Sequence, residues 1–96
     1  MYKSFMPNGQ PTASATATTA TARLQLDQFS NVVRLRQAGT SEVYIKFGDS
    51  TVTATLTDMP VASGATETFT KGSATHVAFI TSAGTAAVAF TNGEGV

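Results

Sequence analysis

The stretch 41–59 carries the strongest structural signal in this chain, a strict alternation of apolar and polar residues. In the run 43–47 (VYIKF), valine, isoleucine and phenylalanine occupy every second position, which is the period of a strand with one buried face. The turn-forming residues 48–50 (GDS) follow, and the run 51–57 (TVTATLT) then repeats the alternation. Two alternating runs around a short glycine-containing loop predict a β-hairpin.

Most of the remaining sequence repeats this pattern in short runs that are separated by turn-forming residues every ~8–12 residues, and no stretch has a helical period. The pattern predicts an all-β chain, folded as a small antiparallel β-sandwich of about seven or eight short strands. A sandwich fits better than a closed barrel because the runs are short and unequal. The run 75–81 (THVAFIT) is the most hydrophobic, and we expect it to form a central strand.

The N-terminal part of the chain differs from the rest. Residues 1–11 contain two prolines and an Asn-Gly pair, and residues 13–22 contain only alanine, serine and threonine. We predict that residues 1–22 form an extended or strand-like arm that docks on a neighbour, and that residues 23–96 form the β-sandwich domain. An N-terminal strand that packs on its own domain is the open alternative.

The composition limits the classes of function. The formal net charge is +0, which argues against nucleic acid, whose binding depends on neutralising phosphates. The chain contains no cysteine, so disulfides and thiolate chemistry are excluded, and no window approaches the ~18 apolar residues of a membrane span. No signal peptide is predicted. Charged residues make up 12% of the chain, about half of the typical share, which suits a protein whose faces are covered by neighbours.

The residues that could carry chemistry are few. His76 is the only histidine, and it lies in an apolar run, so we interpret it as a strand residue rather than a base or a zinc ligand. Asp49 and Asp58 could supply oxygen ligands to calcium, but acidic residues in turns more commonly accept hydrogen bonds from turn amides. We expect no enzyme, no cofactor and no metal site. Binding of a glycan stays an alternative, although the chain has no tryptophan for sugar stacking.

Four short segments carry a resemblance to a known class of proteins: 45–50 (IKFGDS), 58–61 (DMPV), 75–78 (THVA) and 93–95 (GEG). Over residues 32–96 the chain resembles small structural proteins of tailed bacteriophages. The resemblance implies a non-enzymatic virion protein, and within that class a capsid decoration (cement) protein on the outside of the capsid lattice. The alternative is a phage tail, head-fibre or adsorption protein that binds a host surface glycan or protein.

The same resemblance implies partners and a location. The partners are the major capsid protein and further copies of this chain, with a trimer expected because capsid lattices offer local threefold positions. The expected location is the capsid surface of the virion, after synthesis in the host cytoplasm.

We predict interface residues in two groups, the apolar side chains of the N-terminal segment and three outward-facing strand residues. They are Tyr2, Phe5, Met6, Arg34, Arg36 and Tyr44. If the arm makes the contact, deletion of residues 1–22 should abolish capsid binding and leave the domain folded.

Overall fold

The computed structural model describes residues 6–7, 12–27 and 30–94. These residues form an all-β sandwich of two antiparallel sheets, with no helix in the described ranges. The predicted fold class is therefore confirmed. Nine strands are present in the described residues, one of them only two residues long: β1 (Met6–Pro7), β2 (Ala13–Ala17), β3 (Ala22–Gln25), β4 (Val32–Gln37), β5 (Val43–Gly48), β6 (Met59–Val61), β7 (Thr66–Thr70), β8 (His76–Thr81) and β9 (Ala86–Glu94).

Sheet A consists of β1, β2, β9, β4 and β7. Its order is β1–β9–β4–β7, and β2 pairs with β9 on the same side as β1. The alternation of β4 places Val33 and Leu35 in the core and Arg34 and Arg36 in solvent, as the sequence predicts. The long strand β9 is therefore bordered by β4 on one side and by the N-terminal segment on the other.

Sheet B has the order β3–β8–β5–β6. The prediction of a central strand at 75–81 is confirmed, because β8 lies between β3 and β5 and its residues Val77, Ala78 and Phe79 are all buried. The edge strand β6 contains Pro60, which has no backbone N–H to donate and is tolerated at a sheet edge.

The core lies between the two sheets. Phe79 of β8 and Phe90 of β9 are the largest fully buried side chains, and their ring centroids are 5.9 Å apart. A second aromatic pair, Phe47 and Phe69, also joins the two sheets, with centroids 5.7 Å apart. Each such pair stabilises the sandwich by about 0.5–1.5 kcal/mol beyond the burial of its surface.

The predicted hairpin over 43–57 is wrong. Strand β5 pairs with β6 on one side and with β8 on the other, so neither of its edges is open to the run 51–57. That run instead belongs to a segment, residues 49–58, that we call the strap. It lies across the outer face of sheet B, where its residues Val52 and Ala54 cluster with Ala78 and Ile80.

Candidate interaction surfaces

The predicted interface residues do not form one surface. Arg34 and Arg36 lie on the outer face of sheet A, whereas Tyr44 lies on the outer face of sheet B. The backbone of Met6 pairs with Glu94 at the border of sheet A. Tyr2 and Phe5 lie outside the described residues. Among the predicted residues whose side chains the structure describes, Arg34 and Arg36 alone share a face.

The outer face of sheet A is built mainly from small side chains. Directly opposed residues of an antiparallel ladder point to the same side, so Arg36 of β4, Ala89 of β9 and Ser14 of β2 form one row across the sheet. The neighbouring row contains Arg34 and Thr91. This face therefore presents two guanidinium groups beside a low surface of alanine, serine and threonine.

A shallow depression of 460 Å³ lies on this face between β2, β9 and β4. Alanines on β9 form its floor because their side chains are shorter than those of the neighbouring strands. Arg36 is the only charged side chain among the residues that line it. The lining residues are Ser14, Ala15, Thr16, Arg36, Ala38, Ala87, Val88 and Ala89.

Residues 13–17 of the N-terminal segment form an edge of sheet A. Residues 13–17 pair with residues 86–90 of the same chain, and Ala17 is fully buried. The next described residue, Thr18, accepts a hydrogen bond of 2.8 Å from the backbone N–H of Thr81 in the other sheet. In this structure residues 13–17 thus complete the protein's own sheet. Docking of the arm 1–22 on a neighbour stays a prediction.

The strap covers part of the outer face of sheet B, and two side chains at the start of β3 hold it in place. Thr21 Oγ1 accepts a hydrogen bond of 2.8 Å from the backbone N–H of Ala54. The Arg23 guanidinium donates from Nη1 to the carbonyl oxygen of Val52 at 2.9 Å. Because the strap has no ladder partner, these side chains take over the backbone bonds that a neighbouring strand would otherwise make.

The acidic residues of the strap stabilise its turns, as the sequence predicts. Asp49 Oδ1 accepts hydrogen bonds from the backbone N–H and the hydroxyl of Thr51 at 2.9 and 2.6 Å, and these bonds lower the pKa of Asp49. Asp58 Oδ2 accepts a bond of 2.7 Å from the backbone N–H of Thr55. Both carboxylates therefore serve turn amides. In the described ranges, no three acidic, histidine or cysteine side chains come together as metal ligands.

Two large apolar side chains are exposed on the described surface where the strap joins β6. Leu56 is 51% exposed and Met59 is 43% exposed. Leu56 lies within the turn that Asp58 stabilises, and Met59 follows that turn as the first residue of β6. This end of the molecule is a second candidate contact surface.

His76 and Tyr44 are engaged by their neighbours. His76 Nδ1 lies 2.8 Å from the hydroxyl of Thr75, and the ring is half-buried at the start of β8. Tyr44 donates its hydroxyl proton to Glu42 Oε1 at 2.8 Å, and this bond raises the pKa of Tyr44. The interpretation of His76 as a strand residue is confirmed.

A polar cluster at one end of the sandwich was not foreseen. Lys71 is only 6% exposed, and its Nζ donates to the carbonyl oxygen of Ala74 at 3.1 Å. Burial lowers the pKa of Lys71, and the nearby carboxylates of Asp27 and Glu94 partly oppose that effect. Ser30 also donates to Asp27 Oδ2 at 2.8 Å. The backbone N–H of Asp27 donates to Asn92 Oδ1 at 3.2 Å, and that of Lys71 donates to the carbonyl oxygen of Asn31 at 2.8 Å. The β3–β4 connection is thereby joined to β9 and to the β7–β8 connection, so the cluster has a structural role.

A buried glutamine was also missed. The amide group of Gln37 donates to the carbonyl oxygens of Ser41, Val61 and Ala62 at 2.7, 3.3 and 3.2 Å, and its Oε1 accepts from the N–H of Gly39 at 2.7 Å. One side chain thus joins the β4–β5 and β6–β7 connections. The signal was present in the sequence, since position 37 continues the inward alternation of Val33 and Leu35.

The described part of the chain contains no helix that could cross a membrane.

The comparisons with known proteins do not assign the chain to a family. No family model matches the chain, and no curated protein matches it. A solved structure to which the chain is similar is that of Bacillus endospore appendages, which form a family of disulfide-linked pili. Its identity is 22% and its TM-score is 0.49, covering 97% of this chain and 98% of that chain. A likeness of this degree carries no argument about function.

Proposed function

We propose that the protein is a non-enzymatic structural subunit that binds other protein subunits, and specifically that it decorates the outer surface of a tailed-phage capsid as a homo-oligomer. The capsid as partner comes from the resemblance of residues 32–96 to phage structural proteins. The geometry of the N-terminal strand supports the way in which the contact is made.

The observation that carries the proposal is that strand β2 lies at a sheet edge and adds few side chains to the core. This strand lies at the border of sheet A and contributes only alanines to the core, Ala17 fully and Ala15 partly. The exposed residues 18–21 connect it to the other sheet. An edge strand of this kind is held mainly by backbone hydrogen bonds to its own sheet. It can make the same backbone bonds to the open sheet edge of another subunit.

The non-enzymatic part of the proposal is supported by the roles of the polar side chains. Asp49 and Asp58 serve turns, His76 bonds to its neighbour, and Lys71 is buried among backbone and carboxylate partners. Each of these groups is explained by the fold alone.

Binding to a lattice also fits the low charge of the chain. Burial of unpaired charges costs free energy, and a surface of threonine, serine and alanine avoids that cost. Modest contacts made by each copy of an oligomer combine through their effective concentration, so that the whole assembly binds more tightly than one copy.

The test is co-sedimentation of the purified protein with expanded, undecorated capsids of the phage whose genome encodes it, with bound copies counted per capsid. The proposal expects saturation at a multiple set by the lattice. Absence of binding to these capsids would overturn the decoration role, and binding to host cells in its place would favour the adsorption alternative.

A shorter deletion tests the arm. The deletion 1–22 removes Ala17 from the core and also removes Thr21, whose hydroxyl holds the strap. A loss of capsid binding by that variant could therefore result from unfolding. Deletion of residues 1–11 leaves β2 and Thr21 in place. Because β2 carries the proposed contact, we expect this variant to keep capsid binding as well as the thermal stability of the full chain to within a few degrees. Loss of binding would assign the contact to residues 1–11 and not to β2. Equal binding by both proteins would exclude the segment 1–11 as the contact.

A further inference from the structure

Two surface features of the chain complement each other but lie on opposite layers of the sandwich. One is the depression on the outer face of sheet A, and the other is the exposed end of the strap on the side of sheet B. Because the two sheets and the core separate them, they cannot meet within one molecule. They can meet between two molecules.

The depression has the size and chemistry of a socket for apolar side chains. Its volume of 460 Å³ leaves room for a leucine side chain. Ala87 and Ala89 form the floor, and Ala38 adds further apolar surface. The hydroxyls of Ser14 and Thr16 lie at its border on β2. An apolar side chain that enters it exchanges water for alanine methyl groups.

The strap end has the shape of a knob. Leu56 lies in the turn at the end of the strap, and its 51% exposure leaves about half of the residue in water. The turn is fixed by the bond from the Thr55 N–H to Asp58 Oδ2, so the position of Leu56 is set before any partner arrives. A preorganised knob loses less conformational entropy on binding than a flexible one.

Charge favours the same pairing. Arg36 lines the depression, and Asp58 lies two residues after Leu56 in the knob. Asp58 uses Oδ2 in its own turn, which leaves Oδ1 for a partner. When Leu56 enters the depression of a second molecule, an ion pair between Asp58 and Arg36 can form at the border of the contact.

We infer that the strap end of one copy, with Leu56 as its centre, docks into the depression on the outer face of sheet A of a second copy. The contact is heterologous, since it joins two different surfaces of the same chain. Such contacts produce a ring when the rotation between copies closes and an open stack when it does not. The inference rests on the proposed function only in that the protein acts as an oligomer.

The experiment measures self-association of the full-length protein alone by sedimentation velocity over a range of concentrations. Leu56→Ala removes the knob, and Ala87→Leu fills the depression from an exposed position on the same face. Each variant should weaken self-association roughly tenfold, as expected for loss of a central apolar anchor. Controls lie on the same face outside the depression: Thr68→Leu places a leucine there, and Arg34→Gln removes the same charge as Arg36→Gln.

The ion pair is tested by a double-mutant cycle of Arg36→Gln and Asp58→Asn. Asparagine keeps an oxygen that can accept the bond from Thr55, so the turn is preserved while the charge is lost. Each single variant should weaken association a few-fold, and the double variant should be no weaker than either one. Effects that simply multiply would show that Arg36 and Asp58 do not pair.

Several results would overturn the inference. One is a wild-type protein that stays monomeric up to millimolar concentration. Another is self-association that Ala87→Leu leaves unchanged, or that Thr68→Leu weakens as strongly. Because no capsid is present in this experiment, its failure is separate from failure of capsid binding. Circular dichroism of each variant confirms that it is folded.

Discussion

Strand β2 and the strap have nearly the same sequence character but different structures. Residues 13–17 (ASATA) and residues 51–55 (TVTAT) both alternate a hydroxyl residue with a small apolar one. Both segments bury every second side chain to some degree. Yet β2 forms a regular ladder with β9, whereas the strap forms none.

The difference lies in what each segment meets. Strand β2 reaches an edge of β9 that is open, so its backbone groups pair with another backbone. The strap follows β5, whose two edges are taken by β6 and β8. Several of its backbone groups therefore bond to side chains, those of Thr21, Arg23, Asp49 and Asp58. Alternation thus specifies which side chains are buried. Whether the segment forms a ladder depends on whether it meets a strand with an unpaired edge.

The sharpest test of this comparison places one substitution in both segments. Ala17 in β2 and Ala54 in the strap are both buried, at 0% and 4% exposure. Ala17→Asp should destabilise the protein by about 4 kcal/mol because the carboxylate has no route out of the main core. Ala54→Asp should cost about 1–2 kcal/mol because the strap can lift locally. Urea unfolding measures both, and equal losses would contradict the distinction.

The second prediction concerns Gln37, whose side chain also bonds to backbone groups. Gln37→Leu leaves the carbonyl oxygens of Ser41, Val61 and Ala62 without their donor and should cost about 2–4 kcal/mol. The exposed glutamine of β3 provides the control, and Gln25→Leu should change the free energy of unfolding by less than about 0.5 kcal/mol. A similar small change for Gln37→Leu would show that water replaces its bonds.

The third prediction concerns the hold on the strap. Thr21→Val removes the acceptor for the Ala54 N–H and should cost about 1 kcal/mol, and Arg23→Met should cost a similar amount. Hydrogen exchange gives the specific measurement. The Ala54 amide should exchange faster in Thr21→Val, while the amides of β2 keep their wild-type rates. Faster exchange in both segments would mean that they unfold as one unit.

The smallest effect is expected from Asp49, whose pKa is lowered by its bonds from Thr51. Because the pKa of Asp49 is lower in the folded state than in the unfolded state, the ionised carboxylate stabilises the folded protein at pH values above the unfolded pKa of 3.8. This stabilisation is lost as the pH falls from 3.8 through the lower pKa of the folded state. The stability difference between wild type and Asp49→Asn should therefore be present near neutral pH and vanish in acid. A difference that does not change with pH would rule out ionisation as its cause.

The positions of some candidate contact residues were predictable from the sequence pattern, whereas those of others depend on the tertiary structure. The shared face of Arg34 and Arg36 follows from two-residue periodicity and was predictable. The position of Tyr44 on the opposite sheet was not, because periodicity assigns a side to each residue within a strand but does not say to which sheet the strand belongs. The knob at Leu56 was missed for a related reason, since a hairpin would have placed that leucine in the core.

By itself, the sequence determined the all-β class, the spacing of the turns and the buried side of β4, β5 and β8. These properties depend on local periodicity and turn chemistry, which act over a few residues. Only the tertiary structure decided that β2 pairs with β9, that the strap crosses sheet B and that Gln37 joins two distant connections. Those outcomes depend on which edges and carbonyl groups remain open after the sheets assemble, and contacts between distant parts of the chain settle that.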